Sequence, residues 1–213
     1  LVYSDESRER VRERLCFLRQ QKAKAEGKAN LCLADFVAPS DHELEDHIGL
    51  FAVTAGLGIE PHVDALEVAN DDYGSILLKA LADRLAEALA EAIHCRVRRA
   101  TWGYAADETL GNDALIHEAY KGIRPAPGYP ACPEHSEKRK LFDLLQAEEN
   151  SRMTLTGGYA MLPAASVSGY YFAHPHSHYF VVGDILDDQV ADYAERKGLS
   201  VEDVQRLLPA NTG

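Results

Sequence analysis

The chain has 213 residues, and its 22 Lys and Arg stand against 34 Asp and Glu, a formal net charge of −12. That length suits about one to one and a half ordinary domains, and a composition 46% hydrophobic and 26% charged belongs to a chain that folds, here expected as one domain over residues 1–213. The negative balance argues against broad phosphate neutralisation on nucleic acid and against docking on an anionic membrane surface, and no apolar run approaches the roughly 20 residues that span a bilayer.

Leu1-Val2-Tyr3 reads as the tail of a strand that enters a charged stretch without a starting methionine, the pattern of a chain truncated at its N-terminus. Between Glu9 and Ala25 the positions Val11, Leu15 and Leu18 recur at helical spacing, and Gly27 stands where such a helix would end. Asn30 to Val37 and His47 to Thr54 are short and carry β-branched and aromatic residues, which predicts two strands. Gly56, Gly58 and Pro61 then break the pattern. From Asp71 to Arg99, Ile76, Leu77, Ala80, Leu81, Leu85, Leu89, Ile93 and Val97 trace one stripe, the period of a long amphipathic helix. Asp71 or Asp72 can cap its start, and Arg96, Arg98 and Arg99 gather where the helix dipole favours cations.

Asn112 to Lys121 predicts a short helix, after which Pro125, Pro127, Pro130 and Pro133 impose a stiff, extended segment. Helical period returns over Ser136 to Asn150 through Leu141, Leu144 and Leu145. Met153 to Leu162, Gly169 to Ala173 and His178 to Val182 read as three strands, and Asp187 to Gly198 and Ser200 to Leu208 as two closing helices, the second with a Ser200-x-x-Asp203 cap signal. This order implies an α+β fold: a single domain with a mostly antiparallel twisted sheet and long flanking helices. Cys16, Cys32, Cys95 and Cys132 are scattered without a C-x-x-C pair, which reads as reduced thiols in a cytoplasmic protein.

Three motifs carry weak chemical signals. Val53-Thr54-Ala55-Gly56-Leu57-Gly58 half resembles a dinucleotide-binding glycine turn, but the third glycine is missing and a strand-ending turn explains it better. Asp83, Glu87, Glu91 and His94 include the Glu-x-x-His spacing of a di-iron ligand pair, yet no second copy exists and a solvated helix face is the simpler reading. His174, His176 and His178 would share one face of a strand and could approach a transition metal, although Pro175 disturbs the strand and nothing completes a ligand set. No metal site is assigned.

The segment Lys121 to His135 is different, because it combines a guanidinium, four prolines, a glycine and a phenol within a dozen or so residues. Prolines fix an extended backbone with few N–H donors, Gly128 admits a close approach to the main chain, Arg124 can clamp a carboxylate through two parallel bonds, and Tyr129 offers a flat face to a heteroaromatic ring or a cation. An amino acid joined to a purine would satisfy all of these; a proline-rich crossover loop is the plain alternative.

Gly122-Ile123-Arg124-Pro125-Ala126-Pro127-Gly128-Tyr129-Pro130-Ala131-Cys132-Pro133-Glu134-His135 resembles the signature of the activation domain of cobalamin-dependent methionine synthase. Leu18-Arg19-Gln20-Gln21, Leu33 to Pro39, Lys79 to Ala88, Trp102-Gly103-Tyr104, Ser166 to Gly169, and Asp188 to Ala194 extend the resemblance in family order over nearly the whole chain. It implies a domain that binds S-adenosylmethionine and presents its methyl group to the cobalamin of a neighbouring domain absent from this chain. In that family an electron from a flavodoxin-type partner and this methyl group together restore the oxidised cofactor, so that the parent methyltransferase can move a methyl from methyltetrahydrofolate to homocysteine. Carried over by position, the ligand contacts fall on Arg124, Ala126, Gly128 and Tyr129 in the prolyl segment and on Tyr179 and Phe180 in the last strand, with Glu87 and Glu118 as further acidic candidates.

Methyl displacement from a sulfonium needs alignment and no proton transfer, so no catalytic acid–base pair is expected in this chain. Arg96, Arg98, Arg99, Lys121, Lys138, Arg139 and Lys140 are candidates for a basic patch that would receive an acidic electron donor. A module that docks on a cobalamin domain or a flavodoxin without holding ligand is the alternative function.

Overall fold

A computed structural model describes residues 1–212. In chain order its elements are β1 (Val2–Tyr3), β2 (Val11–Glu13), a 3-10 turn at Leu33–Phe36, β3 (Gly49–Thr54), α1 (Glu60–Val68), α2 (Asp72–Arg96) continued by a π-helical turn at Val97–Thr101, α3 (Asn112–Ile116), α4 (Glu137–Leu145), α5 (Ala147–Ser151), β4 (Thr154–Leu155), β5 (Met161–Leu162), β6 (Ser166–Tyr171), α6 (Asp187–Lys197) and α7 (Val201–Leu207). The strands form three two-stranded pieces, β1 with β2, β3 with β6 and β4 with β5. The fold is therefore α+β, as expected, with the antiparallel pairing divided into short pieces. The backbone divides into two compact units, residues 1–49, 120–140 and 170–213 in the first and 50–119 with 141–169 in the second.

Several predicted elements change. The helix expected over Glu9 to Ala25 is absent, and the chain instead runs extended beyond β2. Cys16 and Leu18 are buried at every second residue, in one cluster with Val190, Tyr193, Val204 and Leu208 of the closing helices. Phe17 between them meets Tyr170 and Phe172, at ring distances of 5.4 and 6.0 Å. Period-2 burial on both faces is strand behaviour, and the helical spacing of Val11, Leu15 and Leu18 was coincidental. The strand expected at Asn30 to Val37 is the 3-10 turn, closed by Asp35, whose carboxylate accepts from the Cys32 N–H at 2.9 Å. His178 to Val182 is extended but belongs to no sheet.

In the first unit, Gln189 on α6 does the work of a missing strand. Its side chain accepts from the Arg19 N–H at 2.7 Å and donates to the Arg19 carbonyl at 2.9 Å, satisfying the two backbone groups that the isolated bridge of Arg19 with Cys32 leaves unpaired. Ser200 caps α7, accepting from the Asp203 N–H at 3.1 Å, as its spacing predicted.

In the second unit, β3 ends in a turn where Gly56 donates to the Thr54 hydroxyl at 3.1 Å, and the Ala55 N–H reaches the Ala165 carbonyl at 3.0 Å. β3 pairs with β6 rather than with a parallel crossover strand, so the glycine turn is not a dinucleotide site. The helix α1 that follows was not predicted; Pro61 sits in its first turn, where a missing N–H costs nothing.

The long helix α2 is present, with Asp71 capping it by accepting from the Gly74 N–H at 2.8 Å. Its buried side is Ser75, Ala82, Ala86, Ala90 and His94, whereas Ile76, Leu77, Leu81, Leu85 and Leu89 are exposed. The leucine stripe read from the sequence is thus the outer face for most of its length. Two parallel i, i+4 ridges run one residue apart along this helix, and the alanine ridge is the one that goes inward.

Candidate functional site

The prolyl segment belongs to the first unit and is stitched to it from both sides. Ile123 exchanges both backbone hydrogen bonds with Phe172 at 3.0 Å, and the Tyr170 N–H reaches the Pro125 carbonyl at 2.9 Å. On the other side the Val182 N–H reaches the Pro130 carbonyl at 2.9 Å, and the Tyr179 hydroxyl accepts from the Arg124 N–H at 3.0 Å. Within the segment Gly128 donates to the Cys132 carbonyl at 2.7 Å and Tyr129 to that of Ala126 at 3.1 Å, which closes a tight reverse turn. The segment and the late tyrosine stretch therefore meet in one place.

Arg124 is half-buried and held by phenols. Its guanidinium lies 5.9 Å from the Tyr120 ring centroid and reaches the Tyr120 hydroxyl at 3.4 Å, and the Tyr120 and Tyr179 hydroxyls are 3.3 Å apart. Tyr120 escaped the sequence reading; its signal was the four-residue spacing to Arg124, which a bend at Gly122 folds back. Ala126 is buried, Gly128 half-buried and Tyr129 well exposed, while Tyr179 sits at the border of exposure and Phe180 packs on the closing-helix cluster and 6.4 Å from Phe36. Glu87 and Glu118 belong to the second unit, where Glu87 lies exposed on α2 and Glu118 lies exposed just past α3, at φ 53°.

The carbonyls of Pro125, Ala126 and Pro130 already accept backbone N–H groups, so each has one lone pair left for a ligand rather than two. Gly128 is required for a reason other than ligand approach. It has φ +98°, and a Cβ there would overlap the His135 ring, which in turn meets the Lys138 ammonium at 2.8 Å. Burial, joined by the neighbouring Lys138 charge, holds His135 below its ordinary range.

Beneath the segment lies a buried ionic cluster that the sequence did not announce. Lys197 of α6 meets both Glu134 and, at 2.9 Å, Glu137, with Tyr193 donating to Glu134 at 3.2 Å and the Cys16 N–H to Glu137 at 3.0 Å. Burial alone would raise the Glu134 carboxyl, but Lys197 and the Ser136 bonds outweigh it and hold it below the usual carboxylate range. Burial likewise opposes the Lys197 charge, and the two carboxylates overcome it, raising that ammonium. Burial raises the Cys132 thiol well above its ordinary value, and the two acids add to this, so it stays protonated.

Other sequence candidates resolve into structural roles. His94 meets the Tyr104 hydroxyl at 3.3 Å, and Glu91 stands 3.5 Å from a fully buried Arg98 that Glu108 clamps with two bonds of 2.8 Å, so these are not di-iron ligands. His174 and His178 lie 5.9 and 6.0 Å from the Phe36 ring, and among the described residues no group of three His, Cys, Asp or Glu is arranged to hold a metal. Of the residues considered for a basic patch, Arg98 is buried, Lys138 is buried against His135, and Lys140 is paired with Glu137 at 3.0 Å. No helix among the described residues is long and apolar enough to cross a membrane.

A half-buried guanidinium held by a phenol, beside a turn of fixed backbone, is an arrangement able to clamp a carboxylate through two parallel bonds. A family model, vitamin B12 dependent methionine synthase, activation domain, matches residues 1–198, and the chain belongs to that family. A solved structure described as the MetH reactivation domain bound to AdoHcy is 56% identical, with a TM-score of 0.97 over 100% of this chain. This chain covers 65% of the length of that one.

Proposed function

We propose that this chain binds S-adenosylmethionine at Arg124, Ala126, Gly128, Tyr129, Tyr179 and Phe180, as the reactivation part of a cobalamin-dependent methionine synthase. The observation that carries the reading is the meeting of the prolyl segment with Tyr179, through the 3.0 Å bond from the Arg124 N–H. Its support from outside the chain is the relative described as bound to AdoHcy, the product left when the sulfonium ligand gives up its methyl group.

Arg124 takes the ligand carboxylate, with Tyr120 holding the guanidinium and Tyr179 holding the Arg124 backbone N–H and the Tyr120 hydroxyl before the ligand arrives. The turn from Ala126 to Tyr129 offers its remaining carbonyl lone pairs to polar ligand groups, and the exposed Tyr129 ring is available to a heteroaromatic base or a sulfonium. When bound, the ligand supplies an electrophilic methyl group to a cobalamin carried by another domain. The contribution of this chain is then alignment. The reduction that accompanies reactivation is assigned to a flavodoxin-type donor in a cytoplasmic setting, and the parent activity to methyl transfer from methyltetrahydrofolate to homocysteine.

Calorimetry with S-adenosylmethionine tests the reading. Arg124→Ala is expected to weaken binding at least tenfold and Tyr179→Ala by a smaller factor. Equal heats for the native chain and both variants would favour a docking module that holds no ligand.

A further inference from the structure

We propose that His135 is a positioning residue of the ligand site: as a neutral imidazole braced by Lys138 it holds the Ala126–Tyr129 turn in its ligand-accepting shape, and its protonation releases that turn. The inference rests on the S-adenosylmethionine reading of the turn and adds to it a side chain that acts through Gly128.

The His135 Nδ1 and Nε2 atoms lie 2.7 and 2.9 Å from where a Cβ of Gly128 would stand, with Cε1 between them closer still. The edge of the imidazole therefore fills the volume that a side chain at position 128 would take. The turn closes over it, with the Gly128 N–H on the Cys132 carbonyl at 2.7 Å and the Cys132 N–H on the Tyr129 carbonyl at 2.8 Å. Gly128 has φ +98° and no side chain of its own to hold that conformation, so the ring beneath it is the packing that does.

The ring is itself held from the far side by Lys138, whose ammonium stands 2.8 Å from Nδ1 and is only 7% exposed. An ammonium has donors and no acceptor, so Nδ1 must accept and the imidazole carries its single proton on Nε2. Lys138 lies in the first turn of α4, where the helix dipole opposes a cation, and burial opposes it further. Helix formation alone would not choose a lysine there; bracing a neutral histidine gives it a role.

Protonated, His135 could no longer accept from Lys138, and two cations would face each other at hydrogen-bond distance. The ring would swing away from both Lys138 and Gly128. The other charged or titratable groups around the ring work against this only weakly: Glu134 favours the imidazolium but is already engaged by Lys197 and Tyr193, and the Cys132 thiol stays protonated. Burial first and Lys138 second hold His135 below its ordinary value of 6.5, and the residue is exposed enough to exchange protons with water. Ligand affinity should therefore be constant near neutral pH and fall as pH drops through the lowered His135 value.

Calorimetry with S-adenosylmethionine and NMR of the His135 ring, both on the 213-residue chain, provide the test. The native affinity should fall at least about threefold between about pH 7.5 and about pH 5. His135→Phe keeps a flat ring against Gly128 and cannot titrate, so it should lose this acid dependence. Lys138→Met removes the repelling cation, so the midpoint of the acid loss should move to higher pH. Because binding favours the neutral ring, saturating ligand should in turn lower the pH at which the His135 Cε1 proton resonance titrates. That readout needs no variant, and a residue that merely supported the fold would not respond to ligand. Parallel acid profiles for the native chain and His135→Phe, or a ring titration unmoved by ligand, would overturn the positioning role and leave the ligand site standing. Absence of binding by the native chain at neutral pH would instead remove the S-adenosylmethionine reading, and this inference with it.

Discussion

The prolyl segment and the long helix α2 bury their residues by opposite means. The segment has little side-chain bulk of its own and is fixed by backbone hydrogen bonds on two sides and by ions underneath. Helix α2 satisfies its own backbone and is placed by which face it turns inward, and the middle of that face is alanine, between Ser75 and His94. The contrast teaches that a rigid site can come from polar satisfaction with little apolar content, whereas a strongly apolar pattern can end up outside. In the first region removing a single charge should be costly; in the second, apolar residues one position apart should differ in cost by more than their size suggests.

The largest expected effect is therefore Lys197→Met. It leaves Glu134 and Glu137 buried with their shared cation gone, and breaking a buried pair in this way costs about 3–5 kcal/mol. Urea denaturation would measure it. In the native chain Glu134 is held below its ordinary value of 4.5, so the stability it contributes is present above that pH and is lost as pH falls through the lowered value. Lys197 is held above 10.5, so its contribution is present below that pH and is lost as pH rises through the raised value. The contributions of these two groups should then be flat across neutral pH. In Lys197→Met the buried acids favour protonation, and the deficit relative to the native chain should shrink between pH 7 and pH 5; a deficit that grew would show that the cation was not their principal support.

Gly128→Ala comes next, at about 2 kcal/mol. The φ of +98° is strained for any residue with a Cβ, and the added methyl must also displace the His135 ring from its contact with Lys138. These parts separate in a double-mutant cycle with His135→Ala: the second change should recover the ring part and leave the backbone part. Full recovery would mean that the turn tolerates alanine, and the argument for a fixed cradle would lose its backbone support.

The two regions were also unequally legible. The prolyl segment could be read because its chemistry is local: prolines, a glycine and an arginine in order specify a turn before any long-range contact is known. Its anchors could not, because Lys197 lies some sixty residues beyond Glu134 and only folding puts them together. Tyr120 was hidden for a milder reason, a short spacing that the bend at Gly122 converts into contact. Helix α2 was legible as a helix, since period and cap agree, but its inward face was not. Periodicity finds stripes without ranking them, and alanine ridges permit the closest helix approach while giving the weakest hydropathy signal. Near the N-terminus the failure was of type: three apolar residues at helical steps outweighed the alternation of Cys16, Phe17 and Leu18, which only an extended chain between two packed layers requires.

The smallest effects sit on adjacent residues of α2 and test that ranking of faces directly. Ala86 is 1% exposed and Leu85 is 63% exposed, although they are adjacent in sequence. Ala86→Leu adds three heavy atoms to a filled space and should cost roughly 1–2 kcal/mol through overpacking, even though leucine is a good helix former. Leu85→Ala removes the same atoms from a surface that water already wets, and should change stability by less than about 0.5 kcal/mol. A buried leucine truncated in the same way loses about 2–5 kcal/mol, so the two possible faces are well separated by thermal or urea unfolding of this one variant. A loss in the buried range for Leu85→Ala would reverse the orientation of the helix.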